Sequence, residues 1–219
     1  MKRQHARMRL GALASAAVLA LTCGIAQRDD GRASVASATS PVERATVATA
    51  TPTQGIDNSV PLKLPLARPR VLVLKARRQL ILFDGERALR LYRIGLGTSP
   101  VGDKVREGDR RTPEGDFYVC VKNPQSAFYL SLGLSYPNEE HAARGLRDRL
   151  ITRSEHARIT RALRRKRTPP WTTALGGEIF IHGRGSQSDW TWGCVALDDA
   201  DMRELYDALP TGTPVRIEP

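Results

Sequence analysis

A chain of 219 residues has room for one domain of roughly 150 residues and a tail, or for two very small domains. With 41% hydrophobic and 26% charged residues it is no polytopic membrane protein, collagen or fully disordered chain, and three cysteines are too few for a disulfide framework. The formal charge of +11 raises polyanions, nucleic acid included, as partners, a reading that depends on where the charges sit.

Four of the charges sit at the start. Lys2, Arg3, Arg7 and Arg9 precede the uncharged run Leu10–Gly24. Basic then apolar is the order of an export segment, expected over residues 1–26 as a signal peptide cut after Ala26 or a retained N-terminal membrane anchor. Cleavage removes four basic residues and no acid, and export leaves Cys120 and Cys194 in an oxidising compartment. Both points turn the reading away from nucleic acid. Residues 27–69 are expected to form a flexible linker. From Ala33 to Thr53 the chain is mostly Ala, Thr, Ser and Pro without an aromatic residue, and Pro61, Pro65 and Pro69 continue it in extended form.

The folded unit is expected over residues 70–219. Val71–Leu74 and Leu80–Phe83 read as strands joined by the basic turn Lys75–Arg78, and Asp84-Gly85 reads as a hairpin turn. Leu89, Leu91 and Ile94 alternate with Arg90, Tyr92 and Arg93, which predicts a third strand with one buried face. Further strands are predicted at Phe117–Val121, Phe128–Leu132, Glu178–His182, Cys194–Leu197 and Pro214–Ile217. Two helices interrupt them. Thr152 and Glu155 have capping-box spacing before the apolar stripe Ile159, Ala162 and Leu163, and Pro169-Pro170 stops that helix. Asp198 or Asp199 caps a second helix carrying Met202, Leu205 and Tyr206 and ended by Pro210. Many short strands without regular βαβ alternation predict a mainly β domain with a few helices, a sandwich or barrel.

The stretch Arg147–Arg167 holds nine Lys or Arg against Asp148 and Glu155. It reads as a solvated helical face or as a surface drawn to an anionic polymer, and it lacks the interleaved aromatic residues of single-stranded nucleic-acid grooves.

Of the four histidines, His141 and His156 lie in polar surroundings and read as surface residues. His182 ends the apolar run Ile179–Ile181 and precedes a glycine-rich loop, the place where a rigid scaffold presents reactive groups. Cys194 follows 12 positions later, directly after Gly193. A free thiol is mostly protonated at neutral pH and needs a base, and His182 is the available one if the two strands lie side by side. The competing reading makes Cys194 a small buried hydrophobe, the fate expected of Cys120 between Val119 and Val121. No C-x-x-C or H-x-x-x-H pattern supports a metal site.

Several motifs in order decide between these readings. Ile181-His182-Gly183, Trp192-Gly193-Cys194, Asp201-Met202 with Leu205-Tyr206, and Gly212-Thr213-Pro214-Val215 resemble the L,D-transpeptidase (YkuD) family of bacterial cell-wall enzymes. Gly95-Leu96-Gly97, the stretch Gly108–Gly115 and Ser135-Tyr136-Pro137-Asn138 resemble its branch typified by YafK. The resemblance covers residues 70–219 and implies a β-rich catalytic domain without cofactor, exported to the periplasm or cell envelope.

By that resemblance Cys194 is the nucleophile that forms a thioester at the meso-diaminopimelate carbonyl of a peptidoglycan stem peptide. His182 is the general base, oriented by a backbone carbonyl. Gly193, the Cys194 N–H and Trp192 are oxyanion candidates. Gly183, Arg110, Arg111, Thr112 and Trp190 are candidates for substrate contact, with a structural loop as the other reading of the arginines and Thr112. The expected reaction is crosslinking or protein attachment. The alternatives are an L,D-endopeptidase or amidase, for example one releasing a wall-linked lipoprotein, and a non-catalytic wall-binding module. Trp192 stands where the family commonly has a second histidine, and Ala196 where it has a polar residue.

Overall fold

The computed structural model describes residues 55–219. The expected export segment and the linker up to residue 54 lie outside the described residues. Eight strands form one sheet in the order β3-β2-β1-β8-β4-β5-β6-β7, with three helices. In β1 (Pro69–Leu74) the period-two pattern buries Val71 and Val73. β2 (Gln79–Asp84) returns antiparallel after the turn at Lys75–Arg78, and β3 (Arg87–Arg93) follows a two-residue turn in which Gly85 takes φ +61.

β3 buries the face opposite its leucines. Arg90 and Tyr92 face inward, 3% and 2% exposed, while Leu89 and Leu91 are only half-buried. The reason lies 114 residues away: the Arg90 guanidinium forks onto the Glu204 carboxylate at 2.9 Å, and the Tyr92 hydroxyl donates to it at 2.6 Å. Arg90 also donates to the Val60 carbonyl. The segment 55–69 thus touches the sheet at several points. The Asn58 amide donates to the Leu91 carbonyl at 2.7 Å, and Leu62 and Leu66 touch the core, so the packed chain begins before residue 70.

β4 (Gly115–Ser126) is long and serves two partners. Its first residues pair with β8 (Pro214–Glu218), which runs parallel to β1, and its later ones with β5 (Tyr129–Leu134). A register shift between Val119 and Val121 marks the change, and Cys120 sits there, half-buried among the flanking residues of a second core. That core lies under α1 (Glu139–Arg147) and α2 (Arg153–Arg164). α2 starts with the predicted capping box at Thr152 and buries Ile159 and Leu163. α1 was not among the predicted helices. Asn138 caps it, and His141, expected at the surface, is 2% exposed, with Nε2 2.9 Å from Asp103 Oδ1. α3 (Asp199–Ala208) packs Met202 and Leu205 into the main core.

β6 (Phe180–His182) and β7 (Val195–Ala196) end the sheet, and the segment after β3 ties its two edges together. Gly95 exchanges two backbone hydrogen bonds with Ala196 at 2.9 and 2.8 Å, and Gly97 bridges Thr191. A Cβ on Gly97 would lie 2.1 Å from the Arg110 carbonyl oxygen, so only glycine allows this approach behind the Cys194 loop.

Candidate active site

β6 and β7 run parallel, with Ile181 opposite Val195 and His182 opposite Ala196. Because side chains alternate along a strand, Cys194, one residue before β7, shares a face with Ala196 and lies diagonally beside His182. The Phe180 N–H points at Cys194 Sγ at 3.4 Å, confirming that register.

His182 is 3% exposed, and its Nδ1 is 2.7 Å from the Gly183 carbonyl oxygen. That contact places the proton on Nδ1 and leaves Nε2 with a free lone pair. The Phe128 ring lies 4.7 Å from the imidazole and the Trp190 ring 5.4 Å, edge-on, so the ring is held on two sides. Burial lowers the His182 pKa, only partly offset by the Gly183 carbonyl. Burial pushes the Cys194 thiol up to about 11, against the pull of the Phe180 N–H and the Lys104 ammonium. The thiol points to the Glu178 carbonyl at 3.6 Å, and among the described residues no hydrogen bond joins Sγ to the imidazole. The resting pair is therefore a neutral thiol and a neutral imidazole.

Cys194 borders two clefts. One, of about 260 Å³, is lined by Asn123, Ser126, Phe128, Ser131, Phe180 and His182. The other, of about 190 Å³, is lined by Lys104, Glu107, Trp171, Ile179 and Trp192. Glu178 lines both and holds φ +53, a left-handed conformation unusual for a residue with a side chain.

The other predicted residues separate into distinct places. The Gly193 N–H donates to Thr191 Oγ1 at 3.1 Å, whereas the Cys194 N–H has no acceptor among the described residues. The Gly183 N–H is taken by the Phe128 and Leu130 carbonyls at 3.1 and 3.3 Å, and its own carbonyl orients His182. Thr112 is fully buried behind the site: its Oγ1 accepts from the Gly97 N–H at 3.1 Å and lies 3.5 Å from the Cys194 carbonyl. Trp192 is 72% exposed at the cleft rim, with the Arg110 guanidinium 4.7 Å above its ring. Trp190 donates from Nε1 to the Gly185 carbonyl at 3.1 Å, and Asp189 pairs with Arg78 at 2.6 Å. Arg111 lines neither cleft and donates to the Asp103 carbonyl at 3.3 Å. Asp109 organises that loop, accepting from Lys104 Nζ at 2.8 Å and from the backbone N–H groups of Val105, Arg106 and Arg111.

Three residues at the site had no distinguishing signal in the sequence. Phe128 reads as part of a strand, and nothing local shows that it covers the imidazole. Lys104 is 3% exposed and lies in the second cleft, and Glu178 stands between the clefts. The positive φ of Glu178 has no marker in residue type, since glycine or asparagine is the usual signal.

The β-rich domain thus sets a thiol and a neutral imidazole at paired strands, with the thiol bordering both clefts. Residues 68–217 match the family model of the L,D-transpeptidase catalytic domain, YkuD, and the chain belongs to that family of enzymes. Among solved structures it is similar to the L,D-transpeptidase (residues 123–326) from Xylanimonas cellulosilytica, at 17% identity and a TM-score of 0.43, covering 73% of this chain and 64% of that one. It is also similar to the helical cell shape determining protein Pgp2 from Campylobacter jejuni, at 24% identity and a TM-score of 0.48, covering 69% and 47%. The similarity to Bd1075 from Bdellovibrio bacteriovorus is 23% identity and a TM-score of 0.43, covering 70% and 48%. The chain thus spans less than two thirds of each of these structures. No curated protein matches it.

Proposed function

We propose that this chain is an exported peptidoglycan L,D-transpeptidase acting through Cys194. Sγ attacks the meso-diaminopimelate carbonyl of a stem peptide while His182 Nε2 takes the thiol proton. The C–N bond then breaks, and His182 returns the proton to the departing amine, leaving a thioester. An acceptor amine attacks the thioester carbonyl, gives a proton to His182 and expels the sulfur, which is reprotonated. The Cys194 N–H is the backbone donor available to the oxyanion, and Gly193 joins it if its N–H leaves the Thr191 hydroxyl.

The observation that carries this reading is the position of Cys194 between two separate clefts, one beside the imidazole and one beside Trp192. Transfer needs room for an acyl donor and an amine at one sulfur; hydrolysis needs room for only one peptide. Incubation with a tetrapeptide muropeptide and an amine acceptor tests it. A crosslinked product supports transfer, and released amino acid without crosslink overturns transfer in favour of hydrolysis. Intact-protein mass after treatment with a carbapenem is expected to show one covalent adduct, on Cys194.

The pH profile follows from the protonation states. His182 must be neutral to accept a proton, and burial sets its pKa below the ordinary 6.5. Activity is therefore expected to rise with pH through an inflection below that value. No second rise belongs at the ordinary thiol value of 9.0, because the thiol is pushed up to about 11. A kcat/KM profile whose acid limb inflects above about 7 contradicts a buried neutral imidazole as the base.

A further inference from the structure

The outer face of α2 and its flanks carry a charge that the proposed reaction does not use. Nine Lys and Arg lie between residues 147 and 167, against Asp148 and Glu155. Both acids are already committed: Asp148 faces Arg147 at 3.7 Å, and the Glu155 carboxylate accepts from the Thr152 N–H and hydroxyl at 2.7 and 2.8 Å. Apart from Arg147, none of these cations has an ion-pair partner among the described residues, and all are exposed. All but Lys166 are arginine, whose planar fork pairs two-handed with carboxylates.

The helix shapes this charge into a receptive surface. Ile159 and Leu163 turn inward. On the outer side, Ala157-Arg161-Arg165 and His156-Thr160-Arg164 form two adjacent rows at four-residue spacing. The small Ala157 and Thr160 between longer side chains leave a concavity of about 520 Å³, rimmed by His156, Arg161, Arg164 and Arg165.

We propose that this face docks the anionic polymer on which the enzyme works, its guanidinium groups pairing with carboxylates of stem peptides other than the one being cut. The proposal rests on the peptidoglycan reading above. Charge complementarity is the first argument. Chain continuity is the second: α2 leads through Pro169-Pro170 directly into Trp171, a wall of the cleft beside Cys194, so a polymer held on α2 is held near the reacting sulfur. Two other occupants fit less well. A membrane-surface helix presents large apolar side chains for insertion, and the exposed ones among the described residues all lie elsewhere. No Phe, Tyr or Trp lies between 147 and 167 to stack on bases.

The test compares the full chain with its triple variant Arg161→Gln, Arg164→Gln, Arg165→Gln, chosen because glutamine keeps helix propensity. Binding to purified sacculi by co-sedimentation is expected to fall roughly tenfold or more in the variant, and wild-type binding to weaken as salt is added. Turnover of a soluble tetrapeptide muropeptide is expected to stay unchanged, which also shows that the variant is folded. Undiminished sacculus binding by the folded variant overturns the proposal. So does a wild-type preference for phosphatidylglycerol vesicles or duplex DNA over sacculi that the same substitutions abolish. A wild-type protein that leaves the soluble muropeptide untouched overturns the reaction reading instead, and the co-sedimentation result stands apart from it.

Discussion

Under the proposed reaction, replacing Cys194 with alanine is expected to lower acyl transfer by a factor on the order of 10⁴ or more, since a nucleophile and its base act as a unit and removing one disables the other. The fold is expected to survive. Among the described residues Sγ makes two weak hydrogen bonds, with the Phe180 N–H at 3.4 Å and the Glu178 carbonyl at 3.6 Å, whose loss costs about 1 kcal/mol or less. Cys194→Ser is the sharper variant. A hydroxyl keeps the shape, but a neutral imidazole without an acidic partner activates an alcohol poorly, and turnover is expected to stay near that of the alanine variant. The measurement is muropeptide turnover beside a thermal melt. Turnover that persists in a folded Cys194→Ala protein removes this sulfur from the chemistry, and with it the thioester.

The second large effect is on stability. Lys75 is 2% exposed, and its ammonium donates to the Gly102 and Thr112 carbonyls at 2.7 and 2.9 Å and to Glu114 Oε1 at 2.7 Å. All three donors are used and the charge is balanced. Glu114→Ala leaves a buried cation without its counter-charge, a change expected to cost about 3 kcal/mol. For a domain of this size that lowers Tm by roughly 6–12 °C. The double variant Lys75→Met, Glu114→Leu is expected to recover much of the loss, because neither charge remains to be desolvated. Arg216→Ala serves as the control. Its pair with Asp116 at 2.8 Å is exposed on both sides and is expected to be worth less than about 1 kcal/mol. Equal melting temperatures for the Glu114 and Arg216 variants contradict the buried-pair argument.

The Glu114 variant also reaches the site. Thr112, held by Lys75 through its carbonyl, turns its hydroxyl toward the Gly97 N–H and the Cys194 carbonyl. The stretch Gly108–Gly115 stands out in the sequence, where its arginines read equally as substrate contacts or as a structural loop. In the fold, Asp109 gathers the loop and Glu114 neutralises Lys75, while Arg110 reaches the cleft rim through Trp192.

Some of the molecule is readable without coordinates because it depends on neighbours in the chain. The capping box at Thr152, the Asp84-Gly85 turn, the strand at Val71–Leu74 and the stop at Pro210 are local, and each appears at its predicted place. The pairing of β6 with β7 is nearly local, since a short loop lets two runs 12 positions apart lie side by side, and this brings the His182 and Cys194 positions together.

What the tertiary structure alone decided depends on distant partners. Alternation marks β3 as a strand, yet the face it buries is chosen by Glu204, which accepts the Arg90 fork from across the fold. His141 looks polar in sequence and is buried because oxygens of Asn138 and Asp103 lie within hydrogen-bond distance of its two ring nitrogens. The aromatic cover of His182 by Phe128 and Trp190, and the raised thiol of Cys194, arise from packing around the site. Residue order specifies which groups are present and how each short segment folds. Desolvation and charge pairing are sums over everything that surrounds a group, and only the assembled sheet brings those surroundings into place.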